Sequence, residues 1–218
     1  MICGIPQLSM WQGVNTVIGA SAIPDPDAQL MVRVRDGDED CFRVLLDRHR
    51  NALVHFLYRM VQDQPVSEEL AQEVFLRIYK TRASYEPTAK FTTWMFRIAT
   101  HLALNWIRDE KNARAEIRLD GGREEERSGE RPREVPDRKP TVEQHMLYEA
   151  RLQEIRDAIA MLPEKQRAAV LMHKYQEMEY SQIAVVLESS ESAVKSLLFR
   201  AYETLRGRLA HMVTGGTR

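Results

Sequence analysis

The length, composition and charge of this sequence exclude several classes of protein. Its 218 residues are 44% hydrophobic and 29% charged, which is ordinary for globular proteins and gives room for one large or two small domains. No stretch approaches the roughly 20 apolar residues of a membrane span, and the mildly apolar N-terminus lacks the basic region followed by an unbroken apolar core that is typical of a signal peptide. The two cysteines, Cys3 and Cys41, have no metal-type spacing and predict a reducing, cytoplasmic setting.

The charges are distributed unevenly although the formal net charge is only -1. From Asp25 to Glu86 there are 12 acidic and 9 basic residues, whereas Lys90 to Arg118 holds 6 basic and 3 acidic residues. From Glu191 to Arg218 there are 5 basic and 2 acidic residues. This pattern is consistent with two basic surfaces for a polyanion and an acidic surface for a protein, but also with ordinary solvated helix faces.

The N-terminal part predicts a loose extension followed by two helices. Residues 1–24 are weakly patterned, whereas from Asp27 apolar residues recur at helical intervals. Asp63 to Pro65 is predicted to break the first helix, and Ser67 to cap the second. The second helix is expected to end at Tyr85-Glu86-Pro87, because the proline ring disfavours a helical conformation of Glu86.

The most regular helical pattern runs from about Phe91 to Asp109. Trp94, Met95, Ile98, Leu102 and Trp106 share one face, so we expect both tryptophans in the core. The opposite face is predicted to carry polar and basic side chains: Thr93, Arg97, His101, Asn105 and Arg108.

A linker is predicted over residues 119–140. Within it, Asp120 to Glu134 has no Val, Ile, Leu, Met or aromatic residue, so this stretch cannot bury enough apolar surface to offset the entropy of ordering it. Helical pattern resumes near Thr141, and Pro163 suits the start of a further helix. No segment is typical of a strand. We therefore predict an all-α protein with helical blocks at 25–118 and 141–212, and a short tail at 213–218.

The second block contains the pattern of a helix-turn-helix. One short helix is predicted from Tyr180 to Leu187 and a longer one from about Glu191 to Leu209, with Ser190 as the N-cap of the longer one. Its exposed side would present residues to base edges and phosphates: Ser190, Ser192, Lys195, Ser196, Phe199 and Arg200. Such helix pairs also occur in proteins that never bind DNA. Glu188 falls at a turn position that often requires a left-handed conformation, which glycine adopts most easily.

Three segments in order resemble RNA polymerase sigma factors of the extracytoplasmic-function group. SEELAQEVFLRIYK (67–80) resembles the helix that docks on the polymerase clamp, and FTTWMFRIATHLALNWIRDEK (91–111) resembles the helix that recognises and opens the minus-ten element. The segment from Leu162 to Arg206 resembles the domain that binds the minus-thirty-five element. Glu188 stands where the family usually has glycine, and His101 where several relatives have asparagine.

The resemblance implies a function for each block. Residues 25–118 would bind core polymerase and the minus-ten element, and residues 141–212 would bind the minus-thirty-five element and the polymerase flap. The residues expected at the clamp coiled coil are Glu69, Gln72, Glu73 and Arg77. The residues expected at melted or duplex promoter DNA in the first block are Tyr85, Lys90, Arg97, His101, Asn105 and Arg108. For Tyr85, packing at the end of a helix is an equally good interpretation.

The resemblance also implies an anti-sigma partner, and no cofactor, metal or catalytic residue. Three alternatives stay open. An enzyme is disfavoured because the sequence contains no HExxH, GxGxxG, P-loop, GxSxG or paired-cysteine motif. A stand-alone helix-turn-helix regulator would explain residues 162–209 but not the resemblance of residues 67–111. An inactive relative that only binds proteins would retain the fold without reading DNA.

Overall fold

The computed structural model describes residues 25–119 and 142–214, with side chains over 25–115 and 148–212. The described residues form nine α-helices and no strand: α1 Pro26–Arg35, α2 Glu39–Val61, α3 Gln64–Lys80, α4 Phe91–Leu119, α5 Val142–Ala160, α6 Glu164–Tyr175, α7 Tyr180–Val186, α8 Glu191–Arg208 and α9 Ala210–Thr214. A short 3-10 turn, Arg82–Ser84, follows α3. The all-α prediction is confirmed, while the predicted extension at 1–24 and most of the linker at 119–140 lie outside the described residues.

Short polar side chains begin several of these helices. Asp38 accepts a hydrogen bond from the Cys41 amide at 3.2 Å, and Asp63 accepts one from the Val66 amide at 3.0 Å. These contacts satisfy amides that have no partner inside the helix. The prediction of Ser67 as a cap is wrong, because Asp63 takes that role and Pro65 fits the first turn of α3. Ser67 is instead buried, and its hydroxyl donates to the Gln64 carbonyl at 2.7 Å.

Residues with a left-handed backbone conformation follow the ends of other helices. Gly37, with φ of 106°, separates α1 from α2, a break that the sequence pattern did not predict. At the end of α7, Glu188 has φ of 50°. The Ser189 amide donates to the Ala184 carbonyl at 3.0 Å and the Glu188 amide donates to the Val185 carbonyl at 3.4 Å, which is the Schellman pattern. The prediction that this turn needs a left-handed residue is therefore confirmed, with glutamate in place of glycine.

Helix α4 is the centre of the first block, where it packs against α1, α2 and α3. It begins at Phe91 as predicted but extends ten residues beyond Asp109. The ring of Phe96 contacts that of Phe56 on α2, with centroids 5.1 Å apart. Trp94 and Trp106 are partly buried against the core, in agreement with their predicted core position. Thr93 was placed on the polar face, but it is only 2% exposed.

A buried polar cluster joins α1 to α2. The carboxylate of Asp27 accepts a hydrogen bond from Arg48 and lies 2.8 Å from Nε2 of His49. The neighbouring Asp25 carboxylate accepts a hydrogen bond from the backbone amide of Phe91, the first residue of α4, at 2.7 Å. The short helix α1 is thus held to α2 and to α4 by charged side chains as well as by apolar packing.

The second block is built from α5 to α9 and docks on the first. Helices α6, α7 and α8 pack together, while α7 also packs against α4 and α6 against α2. The buried residues of both blocks belong to one connected apolar cluster. Pro163 precedes α6, and Ser190 caps α8 by accepting from the Ala193 amide at 3.2 Å, both as predicted. The two blocks therefore touch, whereas the sequence only predicted that a linker joins them.

We expect the substitution Asp27→Ala to destabilise the protein strongly. The side chain of Asp27 is 13% exposed and that of His49 is 11% exposed, so the change leaves buried polar groups without their partner. We predict a loss of about 2 kcal/mol or more in the free energy of unfolding, measured by urea denaturation.

The matched control is Asp40→Ala. The side chain of Asp40 is 87% exposed and pairs with Arg43 across one helical turn, so its removal should cost less than about 1 kcal/mol. Equal losses from both substitutions would contradict the structural role assigned to the buried cluster.

Candidate nucleic-acid interface

The outer face of α8 presents every residue predicted for DNA contact by the second block. Ser190, Ser192, Lys195, Ser196, Phe199 and Arg200 are all exposed. Phe199 is 68% exposed, which is unusual for an aromatic side chain and leaves its ring available for an apolar contact. Hydroxyl, ammonium, guanidinium and aromatic groups on one helix are suited to phosphates, base edges and thymine methyl groups.

The polar face of α4 brings together the residues predicted for DNA contact along this helix. Arg97, His101, Asn105 and Arg108 recur every three or four positions, and the last three are exposed. The row spans 11 helical steps, or roughly 16 Å along the helix axis. The side chain of Arg97 is the most covered of the three charged or titratable members, with 23% of its surface exposed against 47% for His101 and 66% for Arg108.

Arg97 is covered because the second block contacts this face of α4. Its guanidinium donates to Oε1 of Glu188 at 2.6 Å, and Nε2 of His101 lies 3.5 Å from the same oxygen. The hydrogen bond from Arg97 lowers the pKa of the Glu188 carboxyl below its ordinary value, against a smaller opposing effect of partial burial. The turn of the helix-turn-helix thus places a carboxylate on the surface predicted to meet promoter DNA.

Three further polar contacts join the blocks, and the sequence gave no indication of them. Lys111 pairs with Glu164 at the first residue of α6. Arg167 donates to the Met60 carbonyl at 2.5 Å, and also to the carbonyls of Ala160 and Leu162 in its own block. The guanidinium of Arg59 lies 4.3 Å from the centre of the Tyr175 ring. Partners this far apart along a chain leave no periodic pattern that sequence inspection could detect.

The two residues in the loop before α4 that are predicted to contact DNA differ in their exposure. Lys90 is exposed, whereas Tyr85 is only 5% exposed and its ring contacts Trp94, with centroids 4.9 Å apart. Burial, together with the carboxylates of Asp25 and Asp27, raises the pKa of the Tyr85 hydroxyl. This position agrees with the packing interpretation of Tyr85. A contact between Tyr85 and an unstacked base stays a prediction. Such a contact would require the loop before α4 to move.

The predicted polymerase-binding residues form a polar stripe on α3. Glu69, Gln72 and Arg77 are exposed, and the half-buried Glu73 accepts a hydrogen bond from Arg77 at 2.6 Å. Beside this stripe a groove of about 570 Å³ runs between α2 and α3, and its lining is mostly apolar. Gln72 and Leu76 line it from α3, and Phe42 and Leu46 from α2. Leu76 is 45% exposed there, so the stripe borders an open apolar surface.

Other kinds of site are not found among the described residues. Over 25–119 and 142–214, no three His, Cys, Asp or Glu side chains are grouped so that they could hold a metal ion. In the same ranges, no helix has both the length and the apolar character that crossing a bilayer requires.

Two family models match the sequence in chain order. The model for Sigma-70 region 2 matches residues 45–113, and the model for Sigma-70, region 4 matches residues 152–205. Two relatives have sequences similar to this chain over most of their own length. RNA polymerase sigma factor CarQ of Myxococcus xanthus is 29% identical over 84% of this chain and 97% of its own. The ECF RNA polymerase sigma-E factor of Escherichia coli K12 is 27% identical over 86% of this chain and 96% of its own.

Solved structures share the fold. The structure of CnrH in complex with the cytosolic domain of CnrY matches with a TM-score of 0.57 and 20% identity, covering 88% of this chain and 99% of that one. The sigma factor RpoE of Bartonella quintana, crystallised with the anti-sigma factor NepR, matches with a TM-score of 0.60 and 21% identity, covering 78% and 96%.

The contact between the blocks should weaken in acid. The pKa of Glu188 is lowered by its hydrogen bond from Arg97, and that of Glu164 by its hydrogen bond from Lys111, both from an ordinary value of 4.5. A carboxyl group whose pKa is lowered in the contact stabilises it fully above that ordinary value, and the stabilisation is lost as pH falls through the lowered pKa.

We therefore expect the blocks to begin to separate as pH falls below about 4.5, the ordinary pKa of both carboxyl groups, measured by energy transfer between a dye on each block. Circular dichroism at each pH checks that the helices remain folded. In the variant Glu188→Gln, separation of the blocks should depend less on pH, because glutamine has no carboxyl group to titrate. An identical titration in the wild type and in this variant would show that Glu188 does not contribute to it.

Proposed function

The chain belongs to the sigma-70 family of RNA polymerase sigma factors, in its extracytoplasmic-function group, and we propose that its two blocks divide promoter recognition between α4 and α8. It is an alternative sigma factor, a subunit that gives core RNA polymerase its promoter preference. In this proposal residues 25–118 bind the minus-ten element and core polymerase, and residues 141–212 bind the minus-thirty-five element. The observation that carries the proposal is the presence of two separate hydrogen-bonding, cationic helix faces on the matched regions.

The face of α8 supports recognition of duplex DNA. Ser190 caps α8 and Ser192 lies in its first turn, where a recognition helix meets base edges, and Lys195 and Arg200 provide cations for phosphates. Phe199 offers an exposed ring for the methyl group of thymine. The N-cap contact of Ser190 fixes the start of α8, so these side chains are presented from a rigid helix rather than from a loop.

The face of α4 supports binding of the opened strand. Unstacking a base requires a few kcal/mol, and stacking on an aromatic ring returns roughly 1–3 kcal/mol per base. Lys90, Arg97, His101, Asn105 and Arg108 would hold the phosphates and base edges of that strand. Tyr85 would supply the ring once the loop of residues 84–90 moves away from Trp94.

The α3 stripe and its groove support docking on polymerase. We propose that the clamp coiled coil contacts Glu69, Gln72, Glu73 and Arg77, and that the flap contacts the second block. The groove beside the stripe adds an apolar surface, and interfaces typically combine an apolar centre with a polar rim. Members of this family are not known as enzymes, and we propose neither a catalytic activity nor a cofactor for this chain, which would act in the cytoplasm.

We also propose an anti-sigma partner. CnrH and RpoE were both solved in complexes, the first with the cytosolic domain of CnrY and the second with the anti-sigma factor NepR. A partner of this kind would hold the chain inactive by covering one or both proposed interfaces. Purification from the native cell tests this proposal, and recovery of the protein without any regulatory partner would count against it.

Run-off transcription with purified core polymerase separates this function from that of a stand-alone regulator. The chain should confer a new start-site preference on the core enzyme, which an operator-binding regulator would not do. Asn105→Ala and Arg200→Ala should each reduce promoter-dependent transcription by about 5-fold or more, because a lost base or phosphate contact costs roughly 1–3 kcal/mol.

Arg206→Ala is the matched control for Arg200→Ala. Arg206 lies on the same helix, is 74% exposed and pairs with Glu203, but it is far from the first turns of α8. Full activity of both Asn105→Ala and Arg200→Ala would contradict the DNA contacts proposed here and favour a chain that only binds proteins.

Capture by core polymerase should depend on the groove beside α3. Leu76→Asp places a charge on its apolar wall and should weaken binding by at least about 10-fold, because an unpaired charge would be desolvated at the interface. The measurement is the affinity for immobilised core polymerase.

Val44→Asp is the control for this substitution. Val44 is 44% exposed, almost as much as Leu76 at 45%, but it does not line the groove. Equal binding of the two variants would exclude the groove as the docking surface.

A further inference from the structure

We infer that α1 positions the loop of residues 84–90, and that Arg35 and Asp25 hold the two ends of this loop while its middle meets the unstacked base. The inference rests on the proposed function of the loop. Arg35 is the last residue of α1, and its guanidinium donates to the main-chain carbonyl of Tyr85 at 3.3 Å. Asp25 caps the start of α1, and its carboxylate accepts from the amide of Phe91 at 2.7 Å. The two ends of one helix thus contact the two ends of one loop.

The length of α1 suits this role. Ten helical steps separate Asp25 from Arg35, or roughly 15 Å along the helix axis. The six peptide units between Tyr85 and Phe91 reach at most about 21 Å. A rigid helix of comparable length therefore lies between the two anchors, and it limits how far the ends of the loop can move relative to each other.

The ends of the loop are buried and its middle is exposed. Tyr85 is 5% exposed and Phe91 is completely buried, whereas residues 86–90 are all exposed. Anchoring of the ends reduces the number of conformations that the exposed residues can adopt. Less conformational entropy is then lost when a base binds to the loop.

Each anchoring side chain is oriented by a second contact. Nε of Arg35 donates to the carboxylate of Asp36 at 3.0 Å, while Nη1 makes the contact with the loop. One oxygen of Asp25 accepts from the Asp27 amide at 3.3 Å, and the other accepts from the Phe91 amide. Because one carboxylate serves the first turns of both α1 and α4, the starts of these helices are fixed relative to each other.

Arg35 contacts the main chain of Tyr85 and not its ring. The ring lies against Trp94, but the buried hydroxyl has no hydrogen-bond partner among the protein groups of the described residues. A buried hydroxyl without a partner makes this position of the ring less favourable. The ring can therefore turn away from Trp94 towards a base while the carbonyl of Tyr85 stays in contact with Arg35.

Base selection by the full-length chain bound to core polymerase tests the inference. Run-off transcripts are sequenced from templates in which the minus-ten element is randomised, which gives the preference for each base at each position. In Arg35→Ala the preference at one position should fall by about 5-fold or more, because the loop loses a hydrogen bond from a charged donor. Preferences at the other positions should stay within about 2-fold of the wild type. Arg35→Lys keeps a cationic donor and should restore most of the lost preference.

Arg33→Ala is the matched control. Arg33 lies in the same last turn of α1 and pairs with Asp38, and no hydrogen bond between Arg33 and the loop is found in the described part of the chain. This variant should leave every base preference unchanged. Equal losses in Arg33→Ala and Arg35→Ala would reject the positioning role, and so would a loss of the same size at all positions.

Fluorescence emission from Trp94 tests the anchor without DNA or polymerase. The chain has three tryptophans, so Trp11 and Trp106 are replaced by Phe to leave Trp94 alone. In this background Arg35→Ala should shift the emission to longer wavelength, because Tyr85 then covers Trp94 less and water reaches the indole ring. An unchanged emission would show that Arg35 does not hold the end of the loop, and would overturn the inference.

The wild-type base preferences separate this inference from the proposed function. If the wild type shows no preference at any position of the minus-ten element, the proposed recognition by the first block fails, and the inference fails with it. If the wild type selects bases and Arg35→Ala selects them equally sharply, only the inference fails. Capture of Arg35→Ala by immobilised core polymerase should equal that of the wild type, because the stripe on α3 is unchanged. Weaker capture would assign Arg35 to docking rather than to base selection.

Discussion

Burial of one face of α4 is the constraint on which the rest of the structure depends. Met95, Ala99 and Ala103 on this face are completely buried, and α1, α2 and α3 all pack against this helix. Apolar burial of this extent is the main favourable term in folding. Because it fixes the rotation of α4 about its own axis, it also determines that Arg97, His101, Asn105 and Arg108 point away from the core of their block.

This orientation of α4 about its axis also explains why the second block contacts the first at the polar face of α4. A helix face that is positive and able to donate hydrogen bonds will accept a carboxylate as readily as a phosphate. The turn after α7 supplies that carboxylate through Glu188, and α6 supplies another through Glu164. Docking of the second block and recognition of DNA thus use the same kind of cationic, hydrogen-bonding surface. A protein with a formal net charge of only -1 can carry two such surfaces because its charges are unevenly distributed along the chain.

Local features of the sequence predicted local features of the structure well. The start of α4 at Phe91, the Ser190 cap and the left-handed turn at Glu188 depend on neighbouring residues, and all three are present. The break at Gly37 and the capping role of Asp63 were missed, because alternative caps and turns differ little in sequence. The burial of Tyr85 and the docking of the blocks depend on residues distant in the chain. Periodicity carries no information about such contacts, so the partners of Glu188 and Arg167 emerged only from the structure.

The hydrogen bond from the Phe91 amide to the Asp25 carboxylate has a consequence for the order of folding. It joins residues 66 positions apart, so the first amide of α4 finds its partner only after a long stretch of chain has closed. Neighbouring helices from α1 to α4 can form and pair through contacts that are nearer in sequence, including the contacts of Asp27 with Arg48 and His49. We expect the contact between Asp25 and the start of α4 to form late and to break early, so that substitutions at Asp25 act on the unfolding rate more than on the folding rate.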